Sequence, residues 1–141
     1  VFGWQNAEQV INSYPAITNW AISGHSLGGT MAVKYALNDP DQINGIILWA
    51  AYPASSDNLS ASSLEAVSIF GTDDGLISVQ EIDDSRQLLP ESTSWIMIDG
   101  GNHSQFGWYG DQPGDNPASI SREHQQQIII KSTKDILTKI K

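Results

Sequence analysis

The chain contains no cysteine. Disulfides and thiolate metal sites are therefore excluded, and the redox compartment stays open. Positive charge is scarce: Lys and Arg number 7 against 16 Asp and Glu, for a net charge of −9 and no basic run. Nucleic acid and anionic membrane surfaces are poor matches as partners for such a chain. No apolar run is long enough to span a bilayer, and no signal peptide is visible. An initiator methionine is also missing, so the chain reads as one piece of a longer protein. Its localisation stays open, because any leader would lie upstream of Val1. What is present is ordinary: 141 residues, 40% of them hydrophobic, read as one domain over 1–141 with a buried core.

In chain order, Asn6 is placed to cap a helix with Gln9 reaching back, and Ala7, Val10, Ile11 and Tyr14 share one helical face up to Pro15. Trp20 to Ser23 reads as a short strand. A helix over Leu27–Asn38 follows, with Gly29, Ala32, Val33 and Ala36 as a narrow small-residue face suited to close packing on a sheet. Ile43 to Ala50 is a continuous apolar run, the signature of a strand covered on both faces. Tyr52 to Ser63 reads as a loop too short for a large lid. Glu65 to Phe70 is the next strand. Ser78 to Leu89 is a helical pattern with Val79, Ile82 and Leu89 inward, and Ser94 to Ile98 is a fourth strand. An aromatic, Gly-rich loop spans Phe106 to Pro117. Ser119 or Ser121 then caps a last helix with Ile129, Thr133, Ile136, Leu137 and Ile140 as its stripe. Strands alternating with helices predict an α/β fold, with a mostly parallel sheet wrapped on both faces.

The chemistry lies between these elements. Gly24-His25-Ser26-Leu27-Gly28 is a G-x-S-x-G turn between a strand and a helix, the pattern of a nucleophile elbow. Gly24 and Gly28 are expected to remove side chains that would collide where strand and helix cross. The Leu27 amide, at the helix start, is a candidate oxyanion donor. The next strand ends carry Asp73-Asp74 and then His103. A serine is a weak nucleophile until a histidine takes its proton and a carboxylate orients that histidine. In open α/β sheets such groups gather at the carboxyl ends of strands. Each of these residues has a plainer reading, as a Gly/Ser turn, a solvated Asp-Gly turn and a turn histidine. Their joint occurrence at successive strand ends, in the order Ser, Asp, His, favours one shared cause. A calcium loop with Asp74, Gly75 and Glu81 at positions 5, 6 and 12 fails, because Phe70 in the first position offers no oxygen. Asp99 sits too near His103 along the chain to be the first choice as acid. His25 reads as structural, and His124 as a surface residue.

These residues resemble the C-terminal part of an α/β-hydrolase fold enzyme. Within that superfamily, Gly100-Gly101-Asn102-His103 followed by Gln105-Phe106-Gly107-Trp108-Tyr109 is similar to a bacterial esterase-like group. The resemblance covers nearly the whole chain. It implies Ser26 as nucleophile, His103 as base, and Leu27 as one oxyanion donor. The acid is implied at the fourth position of G-x-x-D, which is Asp74, with Asp73 as the runner-up. A serine at this place departs from dienelactone hydrolases, with their Cys nucleophile, and from haloalkane dehalogenases, with their Asp. A complete member carries further strands and a second oxyanion loop ahead of the elbow. Here only 23 residues precede Gly24, and Val1 to Asn19 holds no substitute for that loop.

Two functions follow as expectations. The first is a serine hydrolase cleaving a small carboxylic ester through an acyl-enzyme, with no cofactor or metal, and with Phe106 and Trp108 either walling the substrate pocket or packing in the core. The second is a non-catalytic hydrolase-like module, or a piece that pairs with a complementary N-terminal segment through an open sheet edge. Ester, thioester and amide substrates are not separated by the sequence.

Overall fold

The computed structural model describes residues 6–140. Helix α1 spans Asn6–Ser13, strand β1 Ala21–His25, helix α2 Leu27–Asn38, strand β2 Gly45–Trp49 and strand β3 Glu65–Gly71. Helix α3 spans Val79–Ser85, strand β4 Ser94–Ile98 and helix α4 Arg122–Leu137. Short 3-10 turns occupy Arg86–Leu88 and Ser104–Phe106. The four strands form one parallel sheet in the order β1-β2-β3-β4.

That strictly sequential order decides which helix covers which face. Right-handed crossovers that step in one direction carry their connections over the same face. The chain before the first strand and after the last is outside that rule: α1 joins the α2 face, and α4 covers the other. The period-2 alternation of the strands follows suit. Ile22, Ile46, Leu48, Ala66 and Trp95 join Val33 and Ala36 of α2 in one apolar cluster. Ala21, Ile47, Val67, Ile69, Ile96 and Ile98 join Ile129 and Ile136 of α4 in the other. Each fully buried Ile or Leu contributes roughly 1.5–3 kcal/mol over its exposed state.

Several boundaries differ from the sequence reading. The strand before Ser26 runs from Ala21 to His25, so it continues right up to the serine. Helix α1 buries no residue outright: Ala7 and Ile11 reach the core, whereas Val10 and Tyr14 are 50% and 57% exposed. Eight residues give little more than two turns, and only part of one face meets the cluster. Asn6, expected with Gln9 as the cap, is the first described residue and already helical, and Val1–Gln5 ahead of it lie outside the described residues. Helix α3 ends at Ser85 and tightens into the 3-10 turn before Leu89. It opens with a reciprocal cap: Glu81 N donates to Ser78 Oγ (3.2 Å), and Ser78 N donates to Glu81 Oε2 (2.8 Å). On α4 the cap is Ser121, and Leu137 is 49% exposed. One step beyond buried Ile136 turns a side chain about 100° round the helix, away from the sheet.

Candidate active site

The turn after β1 is tight for a reason that the backbone makes plain. Ser26 has φ 54° and ψ −128°, a left-handed conformation that costs a non-glycine residue roughly 1–3 kcal/mol. A Cβ on Gly24 would lie 2.2 Å from the Gly28 carbonyl carbon, so only glycine lets β1 and α2 cross there. The second close approach is at Gly29, whose Cβ would lie 2.4 Å from Ala51 Cβ. Gly28 was expected to share this role and does not: its Cβ would meet nothing within 4 Å. The serine is fixed by its N–H donating to Trp49 O (3.0 Å), while its carbonyl accepts from Gly29 N (2.9 Å). The Leu27 amide belongs to the first turn of α2, where no helical carbonyl is available to it.

The loops after β3 and β4 bring together a carboxylate and an imidazole. His103 Nδ1 and Asp74 Oδ2 are 2.8 Å apart, and both side chains are 1% exposed. Asp74 Oδ1 is saturated by the Leu76 and Ile77 amides at 2.8 and 2.7 Å. A carboxylate held on one oxygen by two N–H groups turns its other oxygen to the imidazole, which fixes the proton on Nδ1 and leaves Nε2 bare. That Nε2 is buried and has no hydrogen-bond partner among the described residues. Asp73, the neighbouring candidate, faces elsewhere: its Oδ2 accepts from Ser119 N and Oγ at 3.2 and 2.8 Å. Asp99 meets only Thr72 Oγ1, at 3.5 Å. His124 is exposed on α4.

Two residues that sequence reasoning passed over, Asp115 and Gln125, and one it read as structural, His25, hold this geometry. Asp115, in the aromatic loop, ties both site loops together. Its carboxylate accepts from Gly75 N (3.0 Å), His103 N (3.3 Å), Ser104 N (2.7 Å) and Ser104 Oγ (2.6 Å). Burial alone would raise its pKa, but the hydrogen bonds from Ser104, Gly75 and His103 outweigh it and hold the carboxyl below its ordinary value. Gln125 on α4 is buried and trades bonds with the Asn102 main chain, accepting from its N at 3.1 Å and donating to its O at 2.8 Å. His25, read as structural, touches the site directly. Its ring centroid lies 4.4 Å from that of His103, so the residue before Ser26 packs on the imidazole that Asp74 holds. Nothing in an acidic loop, a polar helix face or a motif's variable position separates these three from ordinary surface residues.

The two aromatics expected to line a pocket are placed differently from each other. Phe106 is 6% exposed and belongs to the α4-side core, where it stacks on His25 at 5.6 Å. It packs in that core and also faces a small pocket of about 210 Å³ with Trp49, Ile130 and Thr133. Trp108 is 72% exposed, with the Arg122 guanidinium 5.4 Å from its ring centroid. Leu27 is 53% exposed beside Ser26. A cavity of about 560 Å³ lies at the opposite, amino end of the strands, lined by Pro40, Asn44, Leu64, Glu65 and Ile140, far from these groups. Among the described residues no group of three or more His, Asp or Glu side chains is arranged to hold a metal ion, and no helix is long and apolar enough to cross a membrane.

Comparison with known proteins agrees with this architecture. Residues 1–127 match the family model described as the alpha/beta hydrolase family. No curated protein matches the sequence. Among solved structures, a thermophilic esterase from Thermogutta terrifontis superposes with a TM-score of 0.73 at 12% identity, over 96% of this chain and 71% of that one. The alpha/beta hydrolase domain-containing protein 10 from mouse gives 0.70 at 11% identity, over 96% and 68%. A predicted CIB-like hydrolase from Thermoplasma acidophilum gives 0.65 at 16% identity, over 94% and 59%, so this chain spans little more than half of that protein's length. These identities speak to the fold alone. With a family model that matches most of its length, the chain belongs to the alpha/beta hydrolase family.

Proposed function

We propose that this chain carries the catalytic residues of a serine hydrolase that cleaves carboxylic esters through an acyl-enzyme. The observation that carries the reading is the bare, buried Nε2 of His103, held by Asp74 beside the strained Ser26 turn. A buried ring nitrogen without a partner is costly, and a role in accepting a proton gives a reason for keeping it open. In this reading Nε2 takes the Ser26 Oγ proton as Oγ attacks the ester carbonyl. Asp74 keeps Nδ1 protonated and stabilises the imidazolium. The Leu27 amide donates to the oxyanion. His103 then returns the proton to the departing alcohol, and a water repeats the sequence to free the acid. The chemistry needs neither metal nor cofactor. Leu27 and Trp108 are both exposed, and in this reading they meet a small neutral ester.

Burst kinetics with p-nitrophenyl acetate test this reading. A first turnover that releases nitrophenolate in proportion to chain, followed by slower steady release, supports an acyl-enzyme. Linear release that persists in Ser26→Ala overturns it.

A second reading has its own support. Strand β1 pairs only with β2 among the described residues, and an unpaired parallel edge beside an apolar face invites another strand. A complementary N-terminal segment of the same protein is the partner this edge fits. Size-exclusion chromatography tests it: association or aggregation supports the reading, and a stable monomer that binds no such segment removes it.

A further inference from the structure

None of the catalytic steps above uses His25, yet it touches more of the site than any other ring. It ends β1 immediately before Ser26. Its ring packs against His103 at 4.4 Å with the planes 44° apart, and stacks on Phe106 at 5.6 Å and Tyr109 at 5.8 Å. Tyr109 Oη lies 2.5 Å from His25 Nδ1. Phe106 is itself anchored in the core with Ile98 and Ile129, so the stack starts from a fixed base.

The single hydrogen bond that Nδ1 donates to Asp74 fixes one atom of the His103 ring more firmly than its tilt. The ring is also tethered through Cβ, so Nε2 moves only by small changes in the two side-chain torsions, which a hydrogen bond at Nδ1 does not resist equally in all directions. A second ring against its face removes this freedom. We propose that His25 is a positioning residue that sets the plane of the His103 imidazole, and that Tyr109 latches the 107–117 loop to the pair through its hydroxyl. The proposal rests on the reading of His103 as base, but the geometry it concerns is observable without turnover.

The surroundings fit a neutral spacer. Burial first, and the adjacent His103 next, hold the His25 pKa down to about 4, against the attraction of Asp74 and Asp115. At neutral pH it therefore adds no charge beside His103, and its Nδ1 is free to accept the Tyr109 O–H. The loop is shaped for the latch. A Cβ on Gly107 would lie 2.0 Å from the Tyr109 ring, so glycine lets the tyrosine fold back. Arg122 pins the start of the loop by donating to the Ser104 and Gly107 carbonyls, and its guanidinium sits over Trp108.

The test combines proton NMR of the Asp74–His103 Nδ1–H resonance with the rate of labelling by a fluorophosphonate, in four variants of the chain. Tyr109→Phe, a change at an exposed residue, is expected to shift or broaden the resonance and slow labelling about three- to tenfold, the loss of one hydrogen bond. His25→Phe is expected to do at least as much. The double variant should lose no more than His25→Phe alone, because both act through one contact. His25→Gln, which keeps an acceptor for Tyr109, should recover part of the loss. An unchanged resonance in folded Tyr109→Phe, or additive losses in the double variant, overturns the proposal. Should the parent chain show the resonance but no labelling, the esterase reading fails for this chain while the resonance still decides the role of His25.

Discussion

The two halves of the site are built differently. The Asp74–His103 half is enclosed: both side chains are 1% exposed, the Leu76 and Ile77 amides donate to Asp74, and Asp115 and Gln125 accept from the His103 and Asn102 main chain. The Ser26 half sits on an edge strand, with Leu27 53% exposed and open space where a Gly28 side chain would be. The first half is held by contacts within the chain. The second is held by β2, by α2 and by the rings that pack on His25, and among the described residues no strand pairs with the outer edge of β1. Substitutions in the first half should therefore act through geometry that is already complete, whereas those in the second should depend on how tightly the elbow itself is packed.

The largest expected effect sharpens the enclosed half. Asp74→Asn keeps the shape but offers the wrong hydrogen-bonding group to Nδ1, and should slow serine labelling by about 10⁴. Asp73→Asn, with its bonds directed to Ser119, should change the rate by about twofold at most. Equal losses in the two would break the distinction between the carboxylates.

Next is the elbow. Gly24→Ala forces a Cβ to within 2.2 Å of backbone and should cost about 3 kcal/mol in urea unfolding. Asp115→Ala should cost about 2 kcal/mol, since hydrogen bonds that link the Gly75 and His103 loops are lost together. Gly28→Ala should instead stabilise by roughly 0.5 kcal/mol, because alanine favours helix and meets no neighbour. A large loss there would mean that the space beside the elbow is occupied.

The last comparison concerns pH. The folded pKa of His25 lies near 4, below its ordinary 6.5, so between those values the unfolded chain binds the extra proton. Stability should therefore fall as pH drops from about 6.5 towards 4, and His25→Phe should flatten that slope. Denaturant midpoints measured across this range decide it.

Much of this was legible in the sequence because local rules and tertiary structure agree. The Leu27–Asn38 helix and the Ser94–Ile98 strand appear with the limits read from pattern and punctuation. The small face of α2 is buried as its spacing implies. Other features needed the fold. Asp73 and Asp74 are adjacent and chemically identical, and only the turn geometry directs one of them to His103 while Ser119 takes the other. Gly28 occupies a motif position, but the crossing distance falls on Gly24 and Gly29 instead. Leu137 fits the apolar stripe by residue type and leaves it by angle. Asp115, Gln125 and His25 are polar residues whose importance comes from what lies across from them, and no local pattern records that.

The most direct test of the central claim is fluorophosphonate labelling of the folded chain, with the modified peptide mapped by mass spectrometry. The account predicts a single adduct on Ser26, abolished in Ser26→Ala and lost in His103→Ala. Label on another residue, or an adduct on Ser26 that forms as fast without His103, would contradict it.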